Sequence, residues 1–273
     1  MVSIILKDGK KVDFEKAVPL FEAAKAISNS LGRDAVVAKV NGEYADLRDN
    51  IEDGTQVEFF TKDSPEALHT LRHTAAHVMA QAIQHLFPGT KFAIGPAIDT
   101  GFYYDLESEH KFTNEDFPAI EKEMAKIVKE NLAIQKSSKS REEALAYFRE
   151  RNQDYKVELI EDLPEDAQIT FYTQGDFTDL CRGPHVRSTG KVKAFKLMSV
   201  AGAYWRGDEN RQMLQRIYGT AFTKKAELEE YLHMIEEAKK RDHRKLGKEL
   251  GLFMMSEDGP GFPFFLPKGM DLK

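Results

Sequence analysis

The sequence predicts an α+β protein: a small, mostly β unit over residues 1–62, then a larger mixed unit over 63–223. Three observations carry this. Short strand-like runs in the first 60 residues are punctuated by the turn signals Asp8-Gly9 and Asn41-Gly42. Apolar residues recur at helical spacing in several longer segments. After residue 63, helical and strand runs are mixed within about 160 residues.

Val2–Leu6 reads as a strand, Asp8-Gly9 as a hairpin turn and Lys11–Phe14 as the returning strand. Leu20, Phe21, Ala24, Ile27 and Leu31 keep a helical period that Gly32 is expected to end. Val36–Val40, the Asn41-Gly42 turn and a strand over Thr55–Phe60 complete a β-grasp, ubiquitin-like pattern. Ser64 is an expected N-cap, with Pro65 at the first helical position and Glu66 at the positive end of the dipole. That helix is predicted to run to about Phe87, where Pro88-Gly89 stops it; Val78, Ala82 and Leu86 form one packing face.

Phe92–Asp105, rich in aromatics and glycine, reads as paired strands. Helices are predicted over Asn114–Asn131, with Phe117, Ile120, Met124, Ile127 and Val128 inward, and over Arg141–Arg151. Strands are predicted over Val157–Ile160, Ile169–Thr173, Phe177–Leu180, Lys191–Val200 and Gly202–Trp205, with Trp205 in the core. Lys224–Leu250 reads as one long amphipathic helix, with Leu228, Tyr231, Leu232, Ile235 and Ala238 on its apolar stripe. Residues 251–273 carry three prolines and no domain-closing element, so the chain reads as cut short.

Composition narrows the function classes. With 41% hydrophobic and 31% charged residues, the 273-residue chain is globular rather than disordered. No apolar run suits a membrane span, and the first residues lack a signal-peptide pattern. A single cysteine forms no internal disulfide and points to a reducing cytoplasm. A net charge of −6 disfavours indiscriminate nucleic-acid binding. It leaves room for the local basic run Lys239-Lys240-Arg241-Asp242-His243-Arg244-Lys245, with Lys248 beyond; composition alone reads this as a solvated helix end.

The chemistry concentrates in two strings. His73-Thr-Ala-Ala-His77 places two imidazoles one helical turn apart on one face. Cys181-Arg-Gly-Pro-His185 adds the only cysteine and a third histidine. Three histidines and a cysteine suit either a soft divalent metal or a hydrolytic pocket. His69 and His85 read as ordinary surface or core histidines, and a lone cysteine often acts as a small hydrophobe. By themselves, Lys156 and Asp179 read as surface charges.

These strings resemble the N-terminal part of the bacterial threonyl-tRNA synthetase family. The resemblance continues in Ile94-Gly-Pro-Ala-Ile98, Gly101-Phe-Tyr-Tyr-Asp105, Asp179-Leu-Cys-Arg-Gly-Pro-His185, Phe195-Lys-Leu-Met198 and Ala201-Gly-Ala-Tyr-Trp-Arg-Gly-Asp208. It extends through Met213-Leu-Gln-Arg-Ile-Tyr-Gly-Thr220 and Arg241-Asp-His-Arg-Lys-Leu-Gly247. It implies a TGS domain over 1–62, an editing domain over 63–223, a linker helix over 224–250 and the start of a class II catalytic core over 251–273. The expected activity is hydrolysis of mischarged Ser-tRNA(Thr), with His73 and Lys156 moving protons and Asp179 holding the substrate ammonium. His77, Cys181, His185 and Tyr104 would form the wall, with Tyr104 donating a hydrogen bond or stacking on the terminal adenine, and Gly95 would join Asp179 and Tyr104 in binding substrate.

The resemblance further implies the acceptor end of tRNA(Thr) as partner and hydrolysis without an obligatory metal. Zinc on His73, His77, Cys181 and His185 is the alternative, as in related alanyl-tRNA editing proteins. ATP with magnesium, a separate zinc, aminoacylation and homodimerisation are expected of the core beyond Lys273. Two other function classes compete: a tRNA-binding module with structural histidines, and a free-standing zinc-dependent editing protein.

Overall fold

A computed structural model describes residues 1–241, 246–247, 249–255 and 263–270. The chain divides into two compact units, Met1–Lys225 and Ala226–Lys273.

In the first unit, β1 (Val2–Leu6) and β2 (Lys11–Phe14) form the expected hairpin, turning at Gly9 with φ +83°. The helix predicted over Leu20–Leu31 is instead two, α1 (Leu20–Ile27) and α2 (Asn29–Asp34). Ser28 causes the break: its extended backbone ends α1, and its side chain accepts from the Leu31 N–H at 3.1 Å to cap α2. Gly32 therefore ends nothing. It lies inside α2 because a Cβ there would meet the Lys25 Cα at 2.6 Å. β3 (Ala35–Val40) follows, then the Asn41-Gly42 turn with both residues at positive φ, an unanticipated short β4 (Glu43–Ala45), and β5 (Thr55–Thr61). The sheet order is β2-β1-β5-β3-β4, with β1 and β5 parallel and the other pairs antiparallel. Leu20, Ala23 and Ala24 of α1 pack with Ile4, Ala38 and Val57 of the sheet, which completes the predicted β-grasp.

α3 (Pro65–Leu86) starts as expected, with Ser64 accepting from the Ala67 N–H at 3.1 Å and Pro65 in the first turn. Ala75, Ala76, Val78, Met79, Ala80, Ala82 and Ile83 are fully buried, so the helix is enclosed nearly all round. Leu86, assigned to its packing face, is 39% exposed as the last residue of the helix. β6 (Lys91–Phe92), β7 (Ala97–Ile98) and β8 (Gly101–Glu107) match the glycine-rich pairing. α4 (Phe117–Glu130) buries Phe117, Ile120, Met124 and Ile127 as predicted.

β9 (Ile134–Lys139) was not anticipated; α5 (Arg141–Glu150) was. The segment read as a strand over Val157–Ile160 belongs to α6 (Asp154–Glu161). Its Val-Glu-Leu-Ile pattern fits either period, and packing decides. As a helix it turns Tyr155, Lys156 and Ile160 inward, with Ile160 joining Ala144, Phe148 and Phe171. β10 (Ile169–Gln174) and β11 (Phe177–Leu180) match their predictions and form the antiparallel sheet β11-β10-β9. β12 (Ala194–Tyr204) runs unbroken through both predicted strands, starting after a 3-10 turn at Thr189–Lys191. β13 (Met213–Phe222), missed at the level of sequence, sits between β12 and β8 in the order β12-β13-β8-β6. Trp205 is buried with Tyr155 and Leu214, as expected.

In the second unit, α7 (Lys225–Lys240) buries Leu228, half-buries Tyr231, Leu232 and Ile235, and leaves Ala238 exposed. The helix stops at Lys240, short of the predicted Leu250, with Arg241 in a turn; most of the basic run, at residues 242–245 and 248, lies outside the described residues. Short strands at Phe253–Met255 and Pro263–Phe265 pair antiparallel. Among the described residues, no helix is long and apolar enough to cross a membrane.

Candidate active site

The i, i+4 spacing on α3 brings His73 and His77 to one face, with ring centroids 5.4 Å apart. The loop after β11 supplies Cys181 and His185. The Cys181 Sγ lies 3.3 Å from His73 Nε2 and 3.2 Å from His185 Nε2, and the Gly183 N–H donates to it at 3.2 Å. The His185 ring centroid stands 4.2 Å from those of both His73 and His77. One donor atom from each of the four residues falls within 4.8 Å of all the others. Gly183 has φ +73°, and a Cβ there would meet the Tyr172 hydroxyl at 2.1 Å, so only glycine fits this bend.

Hydrogen bonding around Thr74 selects the His185 tautomer. The Thr74 hydroxyl donates its single proton to the Thr70 carbonyl at 3.0 Å and accepts from the Val186 N–H at 3.1 Å. His185 Nδ1, 3.1 Å from the same oxygen, must therefore donate. That leaves the Nε2 lone pair directed at Cys181.

A second network adjoins the first. Period-two alternation on β11 puts Asp179 on the inward side with Phe177. On α6, Lys156 shares the inward face with Ile160. Lys156 Nζ pairs with Asp179 Oδ1 and donates to the Tyr104 hydroxyl at 3.1 Å. The Tyr104 hydroxyl in turn donates to Asp179 Oδ2, and His77 Nε2 lies 3.3 Å from that oxygen. Lys156 and Asp179 are each 3% exposed. Both are thus an enclosed ion pair and not the surface charges their sequence neighbourhood suggests. A cavity of about 330 Å³ borders the pair beside Phe92, Gln153 and Phe177.

Burial sets the charge state. Desolvation, then the neighbouring His77, lowers the His73 pKa to about 3; desolvation lowers His77 to about 4 against the pull of Asp179. His185 is driven well below its ordinary value by burial and then by His77 and His73. All three imidazoles are neutral at pH 7. Burial, aided by Asp179, pushes the Cys181 thiol up to about 12, so it keeps its proton. Asp179 titrates below its ordinary value: desolvation opposes this, but Lys156 and His77 outweigh it. Burial holds Tyr104 protonated. The chemistry available is a set of neutral nitrogens beside one fixed cation and one fixed anion, the equipment for moving a proton around a polarised ester or amide.

The structure brings every predicted site residue into these two networks except Gly95. That residue touches the site through Tyr104 alone: a Cβ at Gly95 would lie 2.2 Å from the Tyr104 ring, so the missing side chain makes room for that ring. Tyr104 itself is fully buried, which removes stacking on a base from its roles and leaves the hydrogen bond. His69 is exposed, and His85 pairs at the surface with Glu123 and Asp176. His73 and Cys181 are half-buried while His77 and His185 are buried, so the site opens on the His73–Cys181 side. Sequence reasoning missed Asp46, Arg48, Thr74 and Tyr172. Thr74 sits inside the His73–His77 string and is the one with a local signal. The other three reach His185 from distant segments.

Two family models match the chain: the TGS domain over residues 2–61, and the second additional domain of threonyl and alanyl tRNA synthetases over residues 169–218. Curated threonine–tRNA ligases are similar over all 273 residues: 63% identity with that of Clostridium novyi, 60% with that of Clostridium acetobutylicum and 58% with that of Clostridioides difficile. In each case the chain spans 43% of the relative's length.

Proposed function

We propose that the first unit hydrolyses Ser-tRNA(Thr) to serine and free tRNA(Thr), a reading supported by the similarity of the whole chain to threonine–tRNA ligases and by its own matches to the TGS domain and the second additional domain. The observation that carries this reading is the enclosed Lys156–Asp179–Tyr104 network, set against three neutral histidines in a site open on one side. Its setting would be the cytoplasm, where aminoacyl-tRNA is used. The need for such a site is physical. Serine is threonine less one methyl group, and a pocket discriminates a methyl by only ~1–3 kcal/mol, or roughly 10–200-fold. A second pocket that excludes the larger side chain multiplies that selectivity.

In this mechanism the seryl ester enters past His73 and Cys181. Neutral His73 accepts a proton as water attacks the carbonyl carbon. The same imidazole then gives that proton to the departing ribose oxygen. The Lys156 ammonium, held by Asp179, stabilises the oxyanion. Asp179 shares its charge with the substrate ammonium. His77 and His185 keep the wall neutral, so the site carries no excess positive charge that would repel that ammonium. Steady-state deacylation checks the reading: Ser-tRNA(Thr) is expected to be hydrolysed roughly 10–200-fold faster than Thr-tRNA(Thr). Equal rates remove the steric sieve, and no hydrolysis of either ester leaves a tRNA-binding module.

The four-donor cluster favours one rival, a zinc site. Its sulfur–nitrogen separations of 3.3 and 3.2 Å are close to the ~3.6 Å edge of a tetrahedron with Zn–S ~2.3 Å and Zn–N ~2.0 Å, so the residues fit the ion. Zinc held by His73, His77, Cys181 and His185 would supply a structural lock, since four protein ligands leave no position for water. It would also take His73 out of proton transfer, so the two readings exclude each other. On the metal-free reading, chelator leaves deacylation and melting temperature unchanged, Cys181→Ser is mild, and elemental analysis finds substoichiometric zinc. One tightly held zinc per chain, lost in Cys181→Ser, would replace the proton-transfer mechanism with the zinc one.

A further inference from the structure

We propose that Asp46 and Arg48, on the loop between β4 and β5 of the β-grasp module, are positioning residues for the hydrolytic site, holding His185 by its own backbone so that its ring stays against Cys181. This rests on the hydrolytic reading above and gives the β-grasp module a part in it.

The loop from Cys181 to His185 bends away from the β11–β10 pairing, so its backbone groups need partners elsewhere. The β-grasp module supplies them. The His185 N–H donates to Asp46 Oδ2 at 3.0 Å. Arg48 Nη1 donates to the His185 carbonyl at 3.1 Å, and Nη2 to the Val186 carbonyl at 2.8 Å. Arg48 Nε donates to the Ile134 carbonyl at 2.7 Å, which ties the same guanidinium to the start of β9. Arg48 Nη1 also binds Asp46 Oδ1 and Oδ2 at 2.7 and 2.9 Å, so each side chain holds the other in place. The Tyr172 hydroxyl donates to Asp46 Oδ2 at 3.1 Å while its ring lies against that of His185, centroids 4.5 Å apart. With Nδ1 on Thr74, His185 is held at its N–H, its carbonyl and its ring. The planar fork of an arginine reaches three carbonyls and a carboxylate together, which a lysine cannot do.

A different contact at the same junction separates this role from simple docking. Lys136 of β9 pairs with Asp49 at 2.5 Å, joining the two modules without touching His185. A docking role predicts equal effects from breaking either contact. A positioning role predicts an effect only at Asp46 and Arg48.

The test uses the whole chain with 15N-labelled histidine, as wild type, Arg48→Ala, Arg48→Lys, Asp46→Asn and Lys136→Ala. Two readouts are taken at pH 7: the His185 ring nitrogen shifts, and kcat and KM on Ser-tRNA(Thr). Wild type is expected to show a single Nδ1–H tautomer at His185. In Arg48→Ala and Asp46→Asn that signal is expected to shift to a tautomer mixture, and kcat to fall roughly 10–100-fold with KM nearly unchanged, as small displacements of the wall around the reacting atoms do. Lys136→Ala is expected to match wild type in both. Arg48→Lys, which keeps the charge and loses the fork, reads the same signals in a folded chain should Arg48→Ala unfold. Wild-type shifts and kcat in the Arg48 and Asp46 variants overturn the proposal, as does an equal loss in Lys136→Ala. If the wild-type chain hydrolyses no ester, the hydrolytic reading fails, and the His185 shifts alone still decide whether the clamp exists.

Discussion

His73→Ala lowers Ser-tRNA(Thr) deacylation by about 10²–10⁴-fold, the usual contribution of a positioned proton acceptor. At about 1.4 kcal/mol per decade this is roughly 3–5 kcal/mol of barrier. The fold survives, because His73 is half-buried at the open side of the site and its ring spans no core layer. Its ring contacts are the Pro184 backbone, Cys181 and the other two histidines, and the three side chains each keep a further partner: the Gly183 N–H for Cys181, Thr74 for His185, Asp179 for His77. The loss falls on kcat, since His73 acts on the water and not on the bound ester. Single-turnover deacylation beside a thermal melt is the measurement. Near-wild-type turnover with an unchanged melt would move the proton role to another histidine and leave His73 as wall.

Asp179→Ala is the most destabilising single change expected in the site. It leaves the Lys156 ammonium 3% exposed with only the Tyr104 hydroxyl as partner. Breaking an enclosed pair from one side costs ~3–5 kcal/mol, whereas replacing both members with apolar residues of similar size is often neutral. Lys156→Met with Asp179→Leu is therefore expected to recover most of the stability lost in Asp179→Ala, while deacylation stays abolished. Trp205, the only tryptophan, is a built-in probe. It is buried against Tyr155, the neighbour of Lys156 on α6, and its Nε1 donates to Glu158 on the same helix at 3.1 Å. Denaturant unfolding followed by its fluorescence reads the cost. A single variant as stable as wild type would mean that water reaches Lys156 and solvates it, and that the pair is not enclosed in solution.

Local patterns made much of this legible. The Ser64-Pro65 start of α3, the His73–His77 face and the positive-φ Asn41-Gly42 turn follow from backbone chemistry within a few residues, and the structure reproduces them. The Val157–Ile160 segment failed for the opposite reason. A four-residue stretch with only Val157, Leu159 and Ile160 apolar fits two periods, and the choice fell to Ile160 packing against Phe148 and Phe171. The break at Ser28 failed because a side-chain cap competes with the helix within one residue, while the apolar stripe on either side reads as continuous.

By itself the sequence determined the α+β class, the β-grasp module and the four metal-capable residues, and through resemblance it singled out Lys156 and Asp179. Tertiary structure alone decided what those residues are. Lys156 and Asp179 became a charged pair out of water only when α6 and β11 closed on Tyr104, because a side chain's exposure depends on elements far away in the chain. Burial in turn made the histidines neutral and kept the thiol protonated, since the dielectric around a group is a property of the packed interior and not of its neighbours in sequence. The link from Asp46 and Arg48 to His185 spans about 140 residues and carries no periodicity to read. It exists because a loop with no ladder of its own must find backbone partners wherever the fold brings them.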